Sequence, residues 1–143
     1  AVAHALLSEG VAQLTLFDVE PARAQALADN LNQHFEGSPA RCGHDLQAAM
    51  GQACGLVNTT PMGMAKLPGM PGPRALLRAE MWVAEIVYFP LETQLLREAR
   101  ALGCRTLNGA NMAVFQAVKA FELFSGVVPD AQRMIGHFNS LGD

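Results

Sequence analysis

Short apolar runs alternate along this chain with stretches whose apolar residues step by three or four, and that alternation predicts a mixed α/β protein. Val2, Ala5 and Leu6 fall at helical spacing, and Glu9-Gly10 supplies a stop. Leu14-Thr15-Leu16-Phe17 reads as a strand that ends at Asp18. Glu20-Pro21 opens a helix, with Pro tolerated in the first turn, and Ala24, Leu27, Ala28 and Leu31 share one face of it as far as His34. Gly37-Ser38-Pro39 turns into a weak strand from Ala40 to Gly43, and Asp45 caps a short helix from Leu46 to Met50. The strand Gly55 to Asn58 follows. Residues 61 to 73 carry so many Gly and Pro that loop is the only plausible state.

An apolar strand resumes from Glu80 to Tyr88 and is broken by Phe89-Pro90, because Pro cannot donate to a central ladder. Thr93 to Leu102 reads as helix ended by Gly103, Arg105 to Leu107 as a last strand, Asn111 to Ser125 as a strongly apolar helix, and Pro129-Asp130 opens another to Asn139. Strands alternating with helices imply a Rossmann-like, doubly wound, mostly parallel sheet with helices on both faces. Ligands bind such sheets outside the carboxyl ends of the strands.

Composition narrows the class. The chain has 143 residues, 50% of them apolar, enough for one core and too few for two ordinary domains. A net charge of −3 without a basic cluster argues against a nucleic-acid partner. No apolar run approaches a membrane span, and no signal-peptide pattern opens the chain, so a cytoplasmic protein is the expectation. Cys42, Cys54 and Cys104 lack CxxC spacing and are expected to be reduced and mostly buried, while His4, His34, His44 and His137 lack metal spacing; no metal is expected. The chain opens without Met, already helical in pattern, as a piece of a longer protein would.

The candidate chemistry sits at strand ends. Asn58-Thr59-Thr60-Pro61-Met62-Gly63-Met64 closes the apolar run Cys54-Gly55-Leu56-Val57 with hydroxyl and amide groups, which either meet a ligand or satisfy the turn backbone. Asp18 ends its strand either as an acceptor for an adenosine ribose or as a helix N-cap. Tyr88 closes another strand, either packing at the core edge or turning its hydroxyl to a cleft. Gln116 is a lone amide among Met112, Ala113, Val114, Phe115 and Ala117, either satisfied structurally or a ligand contact. A Gly-x-Gly-x-x-Gly turn, the usual companion of such a site, is absent.

Three blocks in order, Asn58 to Met64, Tyr88-Phe89-Pro90-Leu91-Glu92-Thr93, and Gly109-Ala110-Asn111-Met112-Ala113-Val114-Phe115-Gln116, resemble the nucleotide-binding half of the shikimate/quinate dehydrogenase family. The resemblance covers nearly all of the chain and about the C-terminal half of the family's length, so residues 1–143 would be the dinucleotide-binding domain, without the N-terminal substrate domain. It implies reversible hydride transfer between a nicotinamide cofactor and a shikimate- or quinate-type acid. Asn58, Thr59, Thr60, Pro61 and Met62 would pass the nicotinamide ribose, with Val87, Gly109 and Met112 beside the nicotinamide. Tyr88 and Gln116 would meet the substrate. Glu85 stands where the family's Asp-x-x-Tyr-x-Pro pattern has Asp, with similar chemistry and a longer reach.

Asp18-Val19-Glu20 stands where NADP-using members carry Asn-Arg-Thr, so NAD is expected over NADP, although Arg23 remains one turn on. Ala1 to Leu6 resembles the helix after the family's Gly-rich turn. The glycine loop and the first, central strand would then be missing, which implies weak dinucleotide binding and unpaired edges on the flanking strands. The family's catalytic Lys and Asp lie in the absent domain, and neither Lys66 nor Lys119 matches their motif, so no catalytic residue is expected here. Two alternatives stay open. One is a non-catalytic nucleotide-binding module that self-associates, as a homodimer for instance, through its sheet edges; the other is a related dehydrogenase with another substrate.

Overall fold

Leu14–Leu16 (β1) and Ala40–Cys42 (β2) pair in parallel, Leu14 opposite Ala40 and Leu16 opposite Cys42, as the computed structural model describing residues 1–140 shows. The helix between them, Pro21–His34 (α2), begins with Pro in its first turn. Its buried face is Ala24, Ala28 and Leu31. Leu27, expected on that face, is 42% exposed, because the i, i+4, i+7 stripe that meets the strands leaves it on the flank. Leu7 of the opening helix Val2–Ser8 (α1), rather than Leu6, joins Ala28, Leu31 and Ala40 in this core. Asn32 ties helix to strand: its Nδ2 donates to the Ala40 carbonyl at 2.8 Å and its Oδ1 accepts from the Ala40 amide at 2.9 Å. The next helix, Leu46–Gln52 (α3), starts as expected at Asp45, whose Oδ1 accepts from the Ala48 amide at 3.0 Å.

These residues form one compact unit, Ala1–Gln52, and a second begins at Ala53. In the second unit Gly55–Asn58 (β3), Trp82–Glu85 (β4) and Arg105–Leu107 (β5) form a parallel sheet in the order β3-β4-β5. The strand expected from Glu80 to Tyr88 is shorter for a specific reason. The Ile86 amide makes a last ladder bond to the Asn58 carbonyl at 3.1 Å, and the next donor, the Val87 amide, turns to the Glu85 carboxylate at 3.0 Å. Residues 61–73 are loop as expected, apart from an isolated bridge between Met64 and Leu67, and lead into a 3₁₀ turn at Arg74–Leu76.

Gln94–Ala101 (α4) buries Leu95, Leu96 and Ala99, and Thr93 caps it by accepting from the Leu96 amide. Ala110–Ser125 (α5) and Ala131–Ser140 (α6) complete the unit and pack on each other. Among the described residues β1, β2, β3 and β5 each have one unpaired edge, no helix is long and apolar enough to cross a membrane, and no three His, Cys, Asp or Glu gather to hold a metal. The cysteines depart from expectation, since only Cys104 is buried, Cys42 is intermediate and Cys54, just ahead of β3, is exposed.

Gly55 is required by its neighbour. A Cβ there would lie 2.0 Å from the Trp82 ring, which crosses the strand pair above it. Trp82 is the sole tryptophan, so Gly55→Ala should displace the indole toward water and shift the emission maximum to longer wavelength. An unshifted spectrum would show that the ring does not rest on Gly55.

Candidate functional site

In the first unit, the chain leaves β1 at Phe17 and presents Asp18, Val19 and Glu20 before α2 begins. Asp18 is not the helix N-cap. That position is Glu20, and the Asp18 Oδ1 accepts from the Glu20 amide at 2.9 Å in a local turn two residues earlier. The carboxylate is thus oriented at the carboxyl end of a parallel strand. Val19 is 98% exposed. Arg23, the one nearby cation noted in the sequence, is held by Glu20 at 2.8 Å. Both partners are largely exposed, so the pair contributes little to stability and acts chiefly to occupy the guanidinium.

In the second unit, the carboxyl ends of β3 and β4 are joined by a polar knot. Asn58 is 2% exposed; its Nδ2 donates to the Met62 carbonyl at 2.9 Å and to the two Glu85 oxygens at 2.9 and 3.0 Å. Its Oδ1 accepts from the Thr60 amide at 3.0 Å and from the Thr60 hydroxyl at 2.7 Å, and that hydroxyl accepts from the Met62 amide at 3.1 Å. Asn58 and Thr60 therefore shape the loop from inside. Thr59 and Pro61 stand exposed on it, and Met62 is half-buried. The loop closes at Gly63, whose φ of +104° favours glycine and where a Cβ would sit 3.1 Å from the Thr93 side chain.

Val87 is buried, and the chain then turns Tyr88 out to 51% exposure, which removes the core-edge reading of that ring. Gly109 lies against the same strand end, where a Cβ would meet the Ile86 carbonyl oxygen at 2.5 Å and that of Val87 at 2.8 Å. Helix α5 starts there with Ala110 and Val114 buried, Met112 half-buried and Gln116 exposed. Gln116 is thus not the buried amide its apolar neighbours suggested. Neither the Tyr88 hydroxyl nor the Gln116 side-chain amide makes a hydrogen bond among the described residues, so both are available to a ligand. An apolar groove of about 530 Å³ between α5 and α6, lined by Ala113, Val114, Ala117, Met134 and Phe138 with Arg133 and His137, does not include Gln116.

The structure brings Asn58, Thr60, Met62 and Val87 into one network through Glu85, and packs Gly109 against the end of β4; Asp18 and Arg23 belong to the other unit. Sequence reasoning noted Glu85 in the family's Asp-x-x-Tyr-x-Pro pattern and Thr93 in the second block, but gave neither a role in the site. A signal was present for the first. Met81, Val83, Glu85 and Val87 occupy alternate positions, all buried, so a carboxylate in that series needed several donors.

Parallel strands alternating with helices, with oriented polar groups at the carboxyl ends, define a Rossmann-like α/β class. No family model matches the chain. Its sequence is 54% identical over 143 residues to a shikimate dehydrogenase (NADP(+)) of Streptomyces avermitilis, covering 99% of this chain and 49% of the relative. It is 51% identical over 144 residues to a quinate/shikimate dehydrogenase (NAD(+)) of Corynebacterium efficiens, covering 99% and 50%. The quinate dehydrogenase from Corynebacterium glutamicum, solved in complex with NAD, superposes with a TM-score of 0.90 at 44% identity, over 97% of this chain and 50% of that one. Over nearly its whole length the chain is similar to one half of these shikimate/quinate dehydrogenases. It spans about half the length of the curated relatives it matches.

Proposed function

We propose that this chain is the cofactor-binding half of an NAD-dependent shikimate- or quinate-type dehydrogenase. The observation that carries it is the knotted Asn58–Met62 loop at the carboxyl end of β3, beside a Tyr88 and a Gln116 with free polar groups. Asp18 accepts from the adenosine ribose. Thr59, Thr60, Pro61 and Met62 pass the nicotinamide ribose, and Val87, Gly109 and Met112 bound the nicotinamide. The Tyr88 hydroxyl and the Gln116 amide hold the hydroxyls of the acid. A bound nicotinamide would supply the hydride acceptor or donor, and Tyr88 and Gln116 would orient the ring carbon of the acid toward it. The proton must move through a group within reach of the substrate oxygen. In the resemblance that group is a Lys and Asp pair outside this chain, so residues 1–143 alone are expected to be inactive.

The preference for NAD is supported by the two carboxylates, Asp18 and Glu20, that follow β1, which would repel a 2′-phosphate, and by the Glu20 ion pair that occupies Arg23. The unpaired edges of β1 and β3 support self-association of the isolated chain, to be read from its mass in solution. The functional test joins residues 1–143 to the other half of the Corynebacterium glutamicum enzyme. The hybrid should oxidise quinate or shikimate with NAD. Gln116→Leu should raise KM for the acid about tenfold, the size of one lost hydrogen bond, with Kd for NAD unchanged. A folded hybrid inactive with both acids would overturn the proposal, and an equal loss of NAD affinity would remove Gln116 from the substrate.

A further inference from the structure

We infer that Glu85 is the positioning residue of this site, the group that holds the loop after β3 and the loop after β4 in one register. This rests on the functional reading above for what the loops bind, and on the structure alone for what Glu85 holds. Its carboxylate is 3% exposed and accepts from three separate segments: Asn58 Nδ2 at the end of β3, the Val87 amide at 3.0 Å just before Tyr88, and the Thr93 hydroxyl at 3.1 Å at the start of α4. No ion pair reaches it among the described residues. Its role is therefore that of a multiple acceptor rather than half of a salt bridge, and each donor it serves would be costly to leave unmade in a buried position.

The consequence lies in what those donors do next. Asn58 passes the constraint through Thr60 to Met62, and Thr93 passes it to the Leu96 amide at the N-cap of α4. Gly63 closes against Thr93, with the Glu85 oxygen 3.6 Å from where its Cβ would be. One carboxylate thus sets where the Asn58–Met62 backbone stands relative to Val87 and Tyr88, all within one compact unit. Glu85 touches neither cofactor nor acid in this assignment and acts through the loops.

Glu85→Gln keeps the size and replaces one acceptor oxygen by a donor that faces the Asn58 amide or the Val87 amide, donor against donor. In the hybrid enzyme it should lower kcat about tenfold, as for one misplaced buried hydrogen bond, with Kd for NAD changed less than about twofold. Glu85→Asp keeps both acceptors on a shorter arm and should fall between; if Glu85→Gln does not fold, Glu85→Asp carries the test. In the 143-residue chain, amide hydrogen exchange at Thr60, Met62 and Val87 should quicken about tenfold while Leu56 and Val83 in the ladder stay protected. Unchanged kcat in both variants, or a fall matched by equal losses of NAD affinity and folded fraction, overturns the positioning role. If the unsubstituted hybrid is itself inactive, the functional reading has failed, and the exchange measurement alone decides whether Glu85 holds the loops: unchanged protection overturns it.

Discussion

Asp18→Asn, Val19→Arg and Glu20→Thr, made together, are expected to turn a preference for NAD into one for NADP, moving the ratio of the two Kd values by roughly a thousandfold. Each carboxylate removed relieves about 1 kcal/mol of repulsion from a doubly charged 2′-phosphate, the order expected for charges in a wet site. The guanidinium added gains about 2 kcal/mol from charge-assisted bonds to that phosphate. The scaffold tolerates the exchange. Val19 is 98% exposed and loses no packing, and Asn keeps the oxygen that accepts from the residue-20 amide. Removing Glu20 also frees Arg23. The measurement is calorimetric titration of the hybrid enzyme with both cofactors, before and after substitution. Tighter binding of NADP than NAD by the unsubstituted protein would show that Asp18 has been misread.

Most of the fold was legible because local signals and tertiary packing agree. Pro21 in the first turn, Asp45 as a cap, and Gly103 beyond the end of α4 each mark a boundary through a backbone requirement that needs no partner. The failures have a common cause in side chains that compete with the ladder or rotate a face. Glu85 captures the Val87 amide and ends β4 early, and the Asn32 clamp joins a helix to a strand eight residues away. Neither event has a periodicity. Exposure at the site was also out of reach. Gln116 looked buried among apolar neighbours, yet Phe115 on the same helix is 52% exposed and Phe124 is 92% exposed, so an apolar sequence did not mean an inward face. Recognising the site relied on three blocks of residues, whereas its geometry depends on a carboxylate that those blocks do not contain.

Gly109→Ala is expected to destabilise the second unit by about 3 kcal/mol, at the upper end of the cost of overpacking. The cause is steric rather than conformational, since the φ of −75° at Gly109 suits any residue. A methyl there would stand 2.5 Å from the Ile86 carbonyl oxygen and 2.8 Å from that of Val87, and both obstacles are backbone. Relief requires either the end of β4 to retreat, which pulls Val87 from Glu85, or the first turn of α5 to lift, which exposes Ala110, now 2% exposed. Urea unfolding followed by Trp82 fluorescence should show a lower midpoint with an unchanged slope. The internal control is Gly136→Ala in α6, where a Cβ meets nothing within 4 Å. That change should stabilise by about 0.5 to 1 kcal/mol through helix propensity alone. Opposite signs at the two glycines would locate the constraint in the approach of α5 to the segment after β4 that carries Val87 and Tyr88, whereas a cost below about 1 kcal/mol at Gly109 would show that the two can part without loss.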